Sequence, residues 1–335
     1  MSEKLAYYNY NKILSYQGTY NFIVGGRGLG KTYGAKKKVI QDAIKKHDEF
    51  IYLRRYKSEL KARMSFFSDI IQEFPDEEFR IEGLTAQIKD PFEKKGWRNI
   101  GYFVALSTSQ SQKSIAYPNV KTIIFDEFII EKGTIHYLPA ETKIFNDFYS
   151  TVDRWKDKTK VFFLANSISV MNPYFIDFDI NPKSNTEFIR QNDGFIVANF
   201  PDSEEFKKGV LKTKFGKFIA DTNDEYVNYA VNSQFKDNND QLVGKKDSKA
   251  RYYTTLETKS GYFSIWINLP YYYIQVKRPK IETIWTLIAE NMDEDKYYIT
   301  YSDRVLQYMR AAFKHGYVIF DSPKARNVFT EIFKR

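Results

Sequence analysis

Gly25, Gly30, Lys31 and Thr32 stand at the spacing G-x-x-x-x-G-K-[ST] inside the stretch IVGGRGLGKTYG, directly after a short apolar run and directly before an amphipathic one. Glycine gives up more conformational freedom on folding than any other residue, so such a cluster needs a reason. Phosphate supplies one. A glycine-rich turn lets backbone N–H groups curl around the β- and γ-phosphates of a nucleotide, and the following helix adds positive potential at its N-terminus. Lys31 would neutralise phosphate charge, and the Thr32 hydroxyl would ligate Mg²⁺. The whole loop, Gly25, Gly26, Arg27, Gly28, Leu29, Gly30, Lys31 and Thr32, is therefore expected to hold ATP, with Arg27 the member left without a task.

A triphosphate loop needs a second, acidic strand to hold the metal, and KTIIFDEF provides β-prone apolar sequence ending in Asp126 and Glu127. Asp126 would bind Mg²⁺, and Glu127 would orient and deprotonate the attacking water. An acidic pair at a strand end is often only a solvated end; the loop upstream is what turns this one into a Walker B motif. Between the two motifs lie FIYLRR and GYFVALS, room for an intervening strand, and the glutamate after the aspartate points to hydrolysis by an additional-strand ATPase. No N-K-x-D base signature of a GTPase is present. Nor is there an identifiable acceptor pocket or lid of a small-molecule kinase.

Three further residues are candidates on position. Asn166 ends the apolar run KVFFLANS, where a polar group could sense the γ-phosphate or hold the water; an ordinary polar strand end is the alternative. Arg154, in STVDRWKDKTK, closes an expected helix and suits an arginine finger aimed at a neighbour's nucleotide, or else a surface ion pair of little consequence. Lys113, in the polar loop STSQSQKSIAYPN, could reach phosphate or DNA, or simply be solvated. The basic aromatic run YYYIQVKRPK reads either as a nucleic-acid platform or as a strand whose alternate tyrosines are core.

The elements that must position these residues follow from the pattern. From residue 21 to about 200, short apolar runs alternate with amphipathic segments such as KTYGAKKKVIQDAIKKH, SELKARMSFFSDIIQEF and AETKIFNDFYSTVDRW, which predicts a parallel sheet covered on both faces. EFRIEGLTAQIKD reads as an inserted hairpin. Residues 1–200 are assigned to an ATPase domain and the polar residues 201–249, ending in KDNNDQLVGKKDSK, to a linker. Residues 250–335 form a smaller α+β domain: three strand-like runs, a helix around Ile281 to Glu290, then strand, helix, strand and helix.

The 335 residues are 43% hydrophobic and 17% aromatic, ample for real cores. The absence of cysteine excludes disulfides and thiolate zinc sites, and the three dispersed histidines make no metal cluster. A soluble, unprocessed protein of a reducing cytoplasm is expected, with no apolar run long enough to span a membrane. The net charge of +9 suits a polyanionic partner without specifying one.

Taken together, the segments NFIVGGRGLGKTYG, FIYLRRYKSEL, FFSDIIQEFPD, QKSIAYPNVKTIIFDEFI, STVDRW, LANSISVMNPYF and KTKFGKFI closely resemble the genome-packaging motor ATPases of the phi-29-like small podoviruses. The resemblance covers almost the whole N-terminal domain and the linker, and is weaker through the rest. It implies a ring-forming, additional-strand ATPase, pentameric in that family, that docks on the portal of an empty procapsid and pumps double-stranded DNA inward. In that family the phosphate loop and Walker B functions fall on Lys31, Thr32, Asp126 and Glu127, the trans-acting arginine on Arg154, and an intersubunit lysine on Lys113. The C-terminal domain would resemble an RNase-H-like nuclease that has lost activity; RYYTTLETK offers Glu257 but no aspartate. Some relatives anchor through a structural packaging RNA, on which this sequence is silent. The expected location is the host cytoplasm and, transiently, the portal vertex. Competing readings are a helicase or replication ATPase on the same fold, and a portal-binding or RNA-binding assembly factor whose nucleotide only gates assembly.

Overall fold

The apolar runs of the first two hundred residues line up side by side in one sheet. Its strands are β1 (Tyr20–Gly25), β2 (Glu49–Arg54), β3 (Phe79–Glu82), β4 (Thr85–Lys89), β5 (Trp97–Ala105), β6 (Val120–Asp126), β7 (Lys160–Asn166), β8 (Phe188–Gln191) and β9 (Ile196–Asn199). The spatial order is β3-β4-β5-β2-β6-β7-β1-β9-β8. From β5 across to β9 every pairing is parallel, and antiparallel strands cap both edges. Strands inside a parallel sheet are covered on both faces, which is why β1 is buried at all six positions and β7 at its five central ones.

This computed structural model describes residues 7–112, 115–131, 135–170, 172–182, 186–222, 243–277 and 284–334. They divide into two compact units, Met1–Ser169 with Asn185–Lys236, and Val170–Ser184 with Asp237–Arg335. Among the described residues no helix is long and apolar enough to cross a membrane.

In the first unit a short helix α1 (Tyr10–Ser15) precedes β1, and α2 (Lys31–Lys46) follows it. Helix α2 buries Ala35, Val39, Ile40 and Ala43, one stripe at helical spacing, and ends with Lys45 and Lys46 where cations complement the helix dipole. Helix α3 (Glu141–Asp153) likewise buries Phe145, Phe148 and Val152. The hairpin expected at EFRIEGLTAQIKD is β3–β4. By contrast, the amphipathic stretch SELKARMSFFSDIIQEF forms short 3-10 segments, Lys57–Ser65 and Ile71–Glu73, in place of one long helix. Tertiary burial decides here: Phe66 stacks on Phe50 of β2 and Phe67 on Phe79 of β3, drawing the chain onto the sheet rather than around a helical axis.

The sequence pattern did not single out β8 and β9, which extend the sheet beside β1. Helices α5 (Glu204–Lys212) and α6 (Lys214–Thr222) belong with the first unit, whereas Val170–Ser184, with the short helix α4 (Pro173–Asp177), belongs with the second. The units are therefore discontinuous in sequence and differ from a simple division at residue 200. Residues 236–242, the first half of KDNNDQLVGKKDSK, lie outside the described residues.

The second unit holds β10 (Arg251–Thr258), β11 (Gly261–Asn268), β12 (Tyr271–Gln275), β13 (Ile284–Thr286), β14 (Lys296–Tyr298) and β15 (Val318–Phe320), in the order β14-β13-β10-β11-β12-β15. Helices α7 (Arg304–Lys314) and α8 (Pro323–Lys334) complete it. Its core gathers Leu256, Phe263, Ile274, Leu306, Phe320 and Phe329. Of the helix expected around Ile281 to Glu290, residues 281–283 lie outside the described residues, and from Ile284 the chain is instead strand β13, followed by a 3-10 turn at Ala289–Asn291. Ile284 and Thr286 are buried alternately and pair in parallel with β10, so period-two burial wins over an apolar run that reads either way. In YYYIQVKRPK, the described residues through Lys277 include strand β12, which buries Tyr273 and Ile274 and exposes Tyr271.

Candidate active site

Parallel pairing brings the C-terminal ends of β2, β6, β7 and β1 to one edge of the sheet, the edge at which open α/β sheets bind ligands. Gly25 pairs with Asn166, Asp126 with Leu164, and Leu53 with Phe125, so the ends of the glycine loop strand, the acidic strand and the Asn166 strand stand level. FIYLRR and GYFVALS, the runs between the two motifs, form β2 and β5 on the far side of β6, whereas the strand that lies between β1 and β6 in the sheet is β7, which follows the acidic motif in the chain.

The loop itself is possible only with glycine at two points. Gly28 (φ 79°) and Gly30 (φ 81°) adopt the left-handed conformation that strains other residues. Gly30 is the N-cap of α2 and makes no side-chain cap, so the first N–H groups of α2 are presented towards the loop. These residues border a cavity of about 740 Å³ lined by Gly28, Lys31, Thr32, Asp126, Glu127 and Asn166 among others, a size that suits a nucleotide.

Within the site, the Lys31 ammonium donates to the carbonyls of Gly26 (2.7 Å) and Gly25 (3.1 Å) and to Asn166 Oδ1 (3.2 Å). Burial lowers its pKa to about 8, with Asp126 acting in the opposite direction. Asp126 is the hub of the acidic side: Oδ1 accepts from the Thr32 hydroxyl and from the Glu127 amide, both at 3.1 Å, and Oδ2 accepts from the Tyr52 hydroxyl at 2.7 Å. A hydroxyl and a carboxylate already in contact are hard oxygen donors of the kind Mg²⁺ takes when phosphates and water complete its shell, so Thr32 and Asp126 fit that ion.

Glu127 sits at φ 55°, with its side chain 64% exposed, and forms an ion pair with Arg54 at the end of β2. The Arg54 guanidinium also donates to Glu59 at 2.8 Å and lies 3.9 Å from Asp126. Burial works against its charge, yet Glu127 and Asp126 outweigh burial and its pKa is raised. The next residue, Arg55, is buried. It grips Glu141 at the start of α3 through two bonds of 2.7 and 2.8 Å and donates to the Phe128 carbonyl at 2.7 Å.

The structure thus brings together the loop from Gly25 to Thr32, Asp126, Glu127 and Asn166. It does not bring Arg154 to them. Arg154 is the exposed C-cap of α3 (φ 54°), just before β7 begins, whereas Asn166 ends β7 at the site. Seven residues of strand at ~3.3 Å each put about 20 Å between those edges. The turn that carries Arg154 is rigid: the buried Asp153 carboxylate accepts from the amides of Lys156, Asp157, Lys158 and Thr159 at 2.8 to 3.0 Å, and Trp155 stands beside Arg154, 89% exposed. Burial would raise the Asp153 pKa, but those four bonds reverse the effect and lower it. Lys113 lies outside the described residues.

Sequence reasoning missed Tyr52 and Arg54. Their signal was in FIYLRR: two residues apart on one strand, they share a face, and β2 is the direct neighbour of the acidic strand.

The whole chain, residues 1–335, matches the family described as Podovirus DNA encapsidation protein (Gp16). It is 34% identical over 338 residues to the DNA packaging protein of Bacillus phage phi29, covering 99% of this chain and 98% of that protein. To the DNA packaging protein of Bacillus phage B103 it is 33% identical over 328 residues, covering 96% and 99%. Among solved structures it is similar to a chain of the bacteriophage Phi-29 viral genome packaging motor assembly (TM-score 0.77, 33% identity, 98% of this chain and 99% of that one). It also matches the crystal structure of the N-terminal domain of the DNA packaging ATPase from bacteriophage phi29 (TM-score 0.54, 41% identity, 60% and 98%). A phosphate loop, an acidic strand and full-length similarity to these proteins lead to one conclusion: the chain belongs to the podovirus DNA encapsidation protein (Gp16) family.

Proposed function

We propose that this protein is an ATP-hydrolysing motor that packages viral double-stranded DNA into a procapsid through its portal, working as a ring of identical subunits. The observation that carries the reading is the convergence of Lys31, Thr32, Asp126, Glu127 and Asn166 at one sheet edge around a nucleotide-sized cavity, in a chain whose full-length relatives are DNA packaging proteins.

The chemistry follows from the geometry. Lys31 exchanges the carbonyls of Gly25 and Gly26 for the β- and γ-phosphates, regaining a fully charged partner. Thr32 and Asp126 would hold Mg²⁺, which shields the charge that builds on the phosphates. Glu127 accepts the proton of the attacking water once its carboxylate is released from Arg54. Asn166, already bonded to Lys31, is set to report on the γ-phosphate or to hold that water. Arg154, on the far side of its own sheet, serves a neighbour's site, and Lys113 is assigned an intersubunit role on the family resemblance alone.

For the second unit we propose an inactive RNase-H-like role in docking or DNA contact. What supports it is the strand order, three antiparallel strands extended by two laid parallel to the first, with β15 added in parallel on the third, and the use of Glu257 in local bonds. Its carboxylate accepts from Tyr262 (2.7 Å), Asn291 (3.2 Å) and Lys296 (3.3 Å). A pentameric ring and action in the host cytoplasm are carried by the family resemblance, in which only some relatives anchor through a packaging RNA. The deciding experiment measures ATP hydrolysis with and without duplex DNA and purified procapsids. Stimulation by duplex without strand separation is expected; unwinding of a forked duplex, or negligible turnover with all components present, would overturn the reading.

A further inference from the structure

The cavity's lining also includes side chains to which the hydrolytic chemistry gives no task, and Tyr7, Tyr33, Lys37 and Glu73 are taken as one compartment of it. Tyr7 comes from the N-terminal arm, which is tied to the phosphate loop at several points. The Tyr8 amide donates to the Leu29 carbonyl at 2.8 Å, the Tyr8 hydroxyl to Asn199 at 2.8 Å, and the Tyr10 hydroxyl to the Lys31 carbonyl at 2.6 Å. A Cβ on Gly30 would lie 3.0 Å from the Tyr7 ring, and one on Gly34 only 2.6 Å from Tyr10. The arm therefore holds the Tyr7 ring against the start of α2 while leaving it 56% exposed. An anchored aromatic ring with an open face, beside a phosphate site, has the chemistry of a stacking platform.

The adjoining wall is polar. Tyr33 and Lys37 lie one helical turn apart on α2, and the Glu73 carboxylate accepts from both the Tyr33 hydroxyl and the Lys37 ammonium. Lys37 is six residues beyond Lys31, about 9 Å along the helix at ~1.5 Å per residue, on the scale that separates the terminal phosphates of a nucleotide from its sugar and base.

We infer that this compartment is the nucleoside half of the site, with the base stacked on Tyr7 and the ribose beside the Tyr33–Glu73–Lys37 cluster. The inference rests on the proposed ATP site and deepens it. Because every base has a π-face, such a platform contributes affinity for the nucleoside and gives a phosphate-only ligand nothing.

The test is calorimetric titration of the full-length protein with Mg²⁺-ADP and, separately, with Mg²⁺-tripolyphosphate. Tyr7→Ala should weaken ADP binding by about 5- to 100-fold while leaving tripolyphosphate within about twofold of the parent protein. Tyr7→Phe should restore ADP affinity, since the ring and not the hydroxyl stacks. An equal loss for both ligands would mean that the arm only shapes the loop, and unchanged ADP affinity would mean that the base lies elsewhere; either result overturns the inference and leaves the phosphate site standing. Failure of the ATP reading looks different: the parent protein would bind neither ligand, or Lys31→Ala would lose neither, and the nucleoside subsite would fall with it.

Discussion

Lys31 gives the site a pH dependence whose size can be worked out. Buried against the Gly25 and Gly26 carbonyls, its ammonium has a pKa lowered to about 8, so above that pH the nucleotide-free protein holds a growing fraction of neutral lysine. Phosphates surrounding the side chain favour its charged form, so binding takes up a proton wherever free Lys31 is neutral. The affinity penalty is the reciprocal of the fraction left charged: about 1.1-fold at pH 7 and about 11-fold at pH 9, a loss near 1.4 kcal/mol over that span. Burial pushes the neighbouring Tyr8, Tyr10 and Tyr52 hydroxyls upward, out of this range. The assay is titration of Mg²⁺-ADP into the protein at several pH values, in buffers of different ionisation enthalpy. About 0.9 proton should be taken up per nucleotide at pH 9 and about 0.1 at pH 7. Lys31→Arg, which cannot deprotonate in this range, should bind more weakly but show a flat profile. A flat profile in the parent protein, or the same slope in Lys31→Arg, would refute the reasoning.

Three other outcomes are expected. Glu127→Gln keeps nucleotide binding and abolishes steady-state hydrolysis, measured by phosphate release; undiminished turnover would remove Glu127 as the base. Arg154→Ala subunits, mixed with Lys31→Ala subunits, should recover hydrolysis above the level of either alone, because each then supplies what its neighbour lacks; activity that follows simple dilution would exclude a finger in trans. Glu141→Gln removes the carboxylate that faces the buried Arg55 charge and should cost about 3–5 kcal/mol in urea unfolding of the unit that holds the sheet, whereas Arg55→Met with Glu141→Leu should recover most of that loss. Equal losses in the single and double variants would show that the ion pair is not what holds the start of α3.

What the sequence made legible was whatever rests on short-range spacing. The glycine loop, the acidic strand and Asn166 could be found because one motif fixes each, and parallel pairing then had to bring their strand ends to one edge. Residues that reach the site across the chain were hidden: Tyr7 meets Gly30, and Glu73 meets Lys37, through packing that no local pattern encodes. Tyr52 and Arg54 were readable as a shared strand face, but only once β2 was known to neighbour the acidic strand. The stretch around Phe66 and Phe67 and the one around Ile284 misled for the same reason, since short apolar runs carry no period strong enough to separate helix, 3-10 turn and strand.

The length of β7 has a consequence for assembly. Asn166, level with the phosphate loop, and Arg154 flank that strand at opposite ends; with Arg154 as the proposed finger, a subunit would offer a socket at one edge of its sheet and a plug at the other. Two copies facing each other across a twofold axis would have to mate both plugs with both sockets in one shared patch, and assembly would stop at the pair. Head-to-tail contact mates one plug with one socket and leaves the other of each open, and such a heterologous interface has only two fates: it closes into a cycle or grows into a filament. Every site would then be built from two chains, and the sense of rotation in which one site hands over to the next would be fixed by which edge of the sheet bears the arginine.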